Sequence, residues 1–345
     1  KISFNWGSTT ALCVINIFNG GSILGPANAT YVLDLATANN AGALNVLNLG
    51  TNGTLAIGGV TAASAAPTAL LNFNGGTLQA TTDNPNYMTD GNVDGVFIYP
   101  GGATINDGGF NIADSIPLQS PSGYGVGSIG IANGGSGYVG APLVSITGGT
   151  GSGATAIAQV DLASGVITNI LVTNPGSGYL NGDFLAVTFI GGGGTGTVAN
   201  TPSLLANHSG ALTKTGAGVL TLSGANTYTG DTSISAGALA LDPGSSLAST
   251  NLYVGAGSVF DVSAINFSLT ANQSLSGNGT VTGSVGTVAG SKIVAGTDGT
   301  FGTNTFNNNL SFVSGASAYF DLSATANGAN DEIVLNGPNG TLNCG

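Results

Sequence analysis

Along most of this chain, apolar residues alternate with small polar ones over short runs, and each run stops at a glycine- or asparagine-rich turn. The unit reads VINIFNGGSIL from Val14, VLNLGTNGTLAI from Val46, LLNFNGGTLQA from Leu70 and VFIYPGGATIN from Val96. It returns as TSISAGALAL from Thr232, LYVGAGSVFDV from Leu252 and SLSGNGTVTG from Ser274. A period of two puts alternate side chains on opposite faces of a strand. Gly, Asn and Thr recur too densely for any stretch to hold a helical apolar stripe. From Val46 onward, successive copies within each half lie 20–26 residues apart, the spacing of a solenoid.

Strands this short cannot bury a core singly, but stacked copies can, at about 4.8 Å per coil. The pattern therefore predicts an all-β, right-handed parallel β-helix, with Leu, Ile, Val and Phe inside and Gly or Asn at the positive-φ corners. A β-sandwich is the competing architecture, but it would not demand a constant repeat. Residues 123–200 break the period. There GSGY occurs twice, at Gly135–Tyr138 and Gly176–Tyr179, 41 residues apart, and each copy runs through an apolar alternation into a glycine-rich turn. We expect N-terminal coils over 1–122, an inserted duplicated β module over 123–205, and C-terminal coils over 206–345.

Composition narrows the function. Of 345 residues, 60 are Gly; three bases stand against 15 acids, giving a net charge of −12. All three bases are lysines, so there is no basic cluster for nucleic acid or an anionic membrane surface. No apolar run approaches the length of a membrane span, and none is expected to insert. The chain begins mid-pattern without Met or signal peptide, which suggests a mature protein or a segment of a larger one.

Candidate chemistry is sparse. His208, the single histidine, lies in the polar joint LANHSG and is expected to be solvated. Asp90-Gly91-Asn92-Val93-Asp94-Gly95 matches the first half of a calcium loop, making Asp90, Asn92 and Asp94 candidate ligands. Position twelve is Gly101 where a bidentate Glu belongs, so an acidic turn without cofactor is the plainer expectation. Adjacent Asp331 and Glu332 would point to opposite faces of a strand. Cleaving acidic sugars would need cations that this chain lacks. We expect no enzyme. Tyr138 and Tyr179 in the module are the candidate glycan-binding aromatics.

Residues 211–241 resemble the passenger-associated strand repeat of bacterial autotransporters. The matching positions are Leu212-Thr213-Lys214-Thr215-Gly216, Leu220-Thr221-Leu222-Ser223-Gly224, Asn226-Thr227-Tyr228-Thr229-Gly230 and Gly237-Ala238-Leu239. Phe73–Ala80, Gly101–Ile112 and Ala329–Gly337 resemble the usual surroundings of that repeat. The resemblance implies a bacterial, extracellular β-helix serving as stalk, adhesin or surface fibre, without catalysis. No outer-membrane barrel is visible after the repeat. The inserted module is similar to glycine-rich domains of tail-fibre-like and surface proteins.

Two cysteines, Cys13 and Cys344, sit near opposite ends, with no metal-ligand spacing. They are either two buried free thiols or partners between molecules. About a dozen coils would make a rod near 55–60 Å, too long for one molecule to join its own ends. Two rods stacked head to tail could join them, and such a contact does not close. The expectation is a homopolymeric fibre locked by Cys13–Cys344. The alternative is a monomeric stalk presenting the module to glycans or other surface proteins.

Overall fold

The computed structural model describes residues 2–3, 12–36, 41–89, 91–297, 299–325, 328–337 and 340–345. These residues contain no α-helix; short strands run three to a coil and build three faces. Face one is an 11-stranded parallel sheet that starts at Ile2–Ser3 and ends at Glu332–Leu335. Face three is a 10-stranded parallel sheet from Ser22–Leu24 to Ser317–Tyr319. Face two is broken into sheets of five, two and four strands, from Leu12–Ile17 to Leu342–Cys344. The solenoid is a parallel β-helix.

Register makes the alternation into a core. On face one, Leu220, Leu239, Phe260, Val281 and Phe306 are successive partners, all buried. On face three, Leu212, Thr232, Leu252, Leu275 and Ile293 form the matching column. Phe260 also meets Phe267 edge to face at 5.2 Å, one of the preferred aromatic geometries. Tyr228 is fully buried but keeps its hydroxyl satisfied by Thr232 Oγ1 at 2.6 Å; burial pushes its phenol up to about 12.

The ladder passes straight over the insertion. Ala103 pairs with Leu212 and Ile112 with Leu220, so the coil before residue 120 stacks on the coil after 210. On face two, Thr227 N donates to Leu118 O at 2.9 Å, continuing the same step. The inserted residues fold as eight antiparallel strands, from Tyr124–Ser128 to Ser203–Ala206, around their own core of Val126, Val144, Ile167 and Leu185. Where the chain leaves and rejoins the rod, Asn207 N donates to Gly123 O at 2.9 Å and Asn207 Nδ2 to Ser122 O at 3.0 Å.

Candidate functional site: the junction of module and rod

Strands Leu44–Gly50 and Thr68–Asn74 read LNVLNLG and TALLNFN, with apolar or amide side chains at nearly every position. Leu47, Leu49, Leu71 and Phe73 point into the solenoid core. Val46, Asn48, Leu70 and Asn72 have the opposite parity and should face solvent, yet all four are buried. The module covers them. A strand buried on both sides carries such a continuous run.

An asparagine ladder runs up the covered face: Asn16, Asn48 and Asn72 are register partners. Asn72 Nδ2 donates to Asn48 Oδ1 at 2.9 Å, and Asn48 Nδ2 donates to Asn16 Oδ1 at 2.8 Å. The second Asn48 amide hydrogen reaches Thr155 Oγ1 of the module, also at 2.8 Å. Gly153, at φ +81°, leans on Leu70: a Cβ there would lie 2.8 Å from Leu70 Cδ1. Tyr99 of the rod lies beside Tyr179 of the module. Burial pushes the Tyr99 phenol well up. These contacts hold the module as a docked body on face two.

Two clefts flank the docked module. One, of about 310 Å³, is lined by Asp94, Phe97, Thr150, Ser152 and Ser177 among others. Phe97 is half-buried, and its ring lies over Gly95, where a Cβ would come within 2.5 Å. The other, about 350 Å³, includes Pro100, Pro175, Leu205 and His208.

The expected site residues fall as follows. Tyr138 and Tyr179 are not open platforms; only 4% and 3% of each is exposed, which corrects the glycan-stacking expectation for them. Each ring packs under a glycine loop of the other half of the duplication: Cβ atoms at Gly194 and Gly151 would meet Tyr138 and Tyr179 within about 2.5 Å. Tyr138 OH also accepts from Thr197 Oγ1 at 2.8 Å. Of the calcium candidates, Asp90 lies outside the described residues. Asn92 Nδ2 donates to Ala62 O at 2.9 Å, and Asp94 Oδ2 accepts from Ala69 N at 2.7 Å, so both hold turns between coils. No group of three His, Cys, Asp or Glu among the described residues could hold a metal. Cys13 and Cys344 are free thiols, on the first and last described strands of face two.

Sequence reading missed one polar centre. Lys214 and Asp107 form an ion pair with both side chains fully buried. Lys214 Nζ also donates to Gly216 O, Gly218 O and Ala236 O at 2.8–2.9 Å. Asp107 Oδ1 accepts from Gly109 N and Gly218 N. Desolvation draws the Lys214 pKa down, opposed by the Asp107 carboxylate. Its signal was parity: in LTKT, lysine takes an inward position beside Leu212.

Fold and junction define a class: a parallel β-helix rod with a β module docked on its flank. Residues 212–241 match the family model for the passenger-associated-transport-repeat. The chain is also similar to the adhesin BmaC autotransporter of Brucella suis biovar 1 (strain 1330), 28% identical over 283 residues. That alignment covers 68% of this chain and 8% of the adhesin, so the chain spans less than a tenth of its relative's length. No solved structure matches it.

Proposed function

We propose that this chain is a stretch of a secreted or surface-exposed adhesin passenger, non-catalytic, whose β-helix carries the docked module as its ligand-contacting part. The observation that carries this reading is the cleft between module and rod. There the half-buried Phe97 ring stands beside the Asp94 carboxylate and the Thr150, Ser152 and Ser177 hydroxyls. An aromatic face ringed by hydroxyls, without a cation, suits an uncharged glycan better than an acidic one. The adhesin relative supports the same class. The test is a glycan array with the purified chain and its Phe97→Ala variant. Binding lost in the variant, with an unchanged circular dichroism spectrum, supports the reading; binding to no glycan, or binding indifferent to Phe97, overturns the cleft as the site.

A second reading, a head-to-tail fibre, is favoured by the placement of both free thiols on end strands of the same face. In that arrangement Leu342–Cys344 of one molecule would follow Leu12–Ile17 of the next, locked by a Cys344–Cys13 bond.

A further inference from the structure

The module's two repeats are related by an internal pseudo-two-fold axis. With the 41-residue offset, Ile146 corresponds to Val187, and these two residues are themselves paired in the antiparallel ladder of Leu143–Gly148 with Leu185–Ile190. The module thus already shows this strand pairing antiparallel with its own duplicate.

One side of that pair is left open. In the four-stranded sheet, Leu185–Ile190 is an edge strand: its inner side meets Leu143–Gly148, and its outer side pairs with no described strand. Natural edge strands are protected by charge, proline or a bulge. This one has none: no charged residue lies between Asp183 and His208, and its sequence is LAVTFI. Its six-pair ladder runs without irregularity, whereas three other antiparallel ladders of the module each contain a register shift. Phe184, just before the strand, is 74% exposed and Ile190 at its end is 57% exposed. Both have the same parity and share one face. From Ile190 an aliphatic row crosses the whole sheet through the register partners Leu143, Ile157 and Leu171.

We propose that the outer edge of Leu185–Ile190 pairs antiparallel with the same strand of a second copy of this chain, centred on Val187. We carry the register of the internal ladder over to the new one. Leu143, the counterpart of Phe184, pairs with Ile190, so Phe184 meets Ile190 of the second copy at both ends of the new ladder. Unpaired backbone groups call for a strand as partner, and the uncharged edge offers no electrostatic barrier to its own copy. The pairing is lateral and needs neither the ends of the rod nor the Phe97 cleft.

The test uses the whole chain with Cys13→Ser and Cys344→Ser, so that no native thiol contributes. Sedimentation equilibrium is expected to show reversible dimers, weakened at least tenfold by Ile190→Lys or Phe184→Lys at unchanged circular dichroism. In the same background, a Phe184→Cys preparation mixed with an Ile190→Cys preparation is expected to form a cross-linked dimer on oxidation, while neither alone does. Monomers throughout, dimers indifferent to both lysine variants, or cross-links in either single preparation equal to those in the mixture would overturn the proposal. Loss of dimers with glycan binding intact would leave the proposed function standing.

Discussion

Asp107 and Lys214 sit on opposite sides of the insertion in sequence and form one buried ion pair in space. Asp107 turns the first corner of the coil before the module, Lys214 lies in the first strand of the coil after it, and the lysine reaches on to Ala236 O one coil further. Lys214→Met would leave a buried carboxylate unpaired and remove the ammonium from three carbonyls, of which Gly218 O keeps Ala238 N as a donor. The expected loss is about 3–5 kcal/mol, typical of breaking one partner of a buried pair. Adding Asp107→Asn should recover part of it, so the double variant loses less than the sum in urea titrations.

Asp114 is fully buried in face one, beside Tyr87, and its Oδ2 finds no partner. Burial raises its pKa well above the ordinary carboxylate value, against the opposing hydrogen bond from Ile116 N. The folded protein therefore holds this proton longer than the unfolded chain. Stability from this group is full below the unfolded pKa, near 4, and falls as pH rises toward the folded value. Asp114→Asn is expected to flatten that fall and to stabilise the protein at pH 7 by about 1–3 kcal/mol. Urea midpoints at pH 4 and pH 8 read it directly.

Asn48 links three partners at the centre of the docking face. Asn48→Ala strands the buried Asn72 amide, at about 1–3 kcal/mol if it stays buried, and leaves the Thr155 hydroxyl held by Thr173 Oγ1 alone. The module should loosen before the rod unfolds. Hydrogen exchange is expected to rise in Thr155–Asp161 and Leu44–Gly50 while Leu252–Ile293 stays protected.

Cys13 is the second residue of its strand and Cys344 the last of its own. Under the fibre reading, oxidising gels of the native chain should show a ladder that Cys13→Ser or Cys344→Ser collapses to dimers at most. A monomer band under oxidising conditions removes the disulfide from that reading.

Strand and coil were legible because alternation is local: Leu220, Leu239 and Phe260 each announce the inward side of a short strand. What lay across long sequence separations was not. Nothing near Lys214 in sequence points to Asp107, and nothing around Tyr138 announces that Gly194 will cover its ring. The docking face was written in Val46, Asn48, Leu70 and Asn72, but a run buried on both sides looks, residue by residue, like a generous core strand. Glycines placed the module's turns at sequence level, yet the absence of a side chain carries no address for the ring that packs there.

Ala103 on Leu212 and Ile112 on Leu220 also fix where force travels. A pull along the rod is handed from coil to coil through these ladders, while the module, spliced in at the Gly123–Asn207 clamp, rests against Asn48 and Leu70 of two successive coils. The cleft between module and rod is lined by residues of successive coils and of the module, so it straddles the line of that pull. A tug on the module would be shared between those docking coils and the coil boundary that Asp107 and Lys214 tie shut.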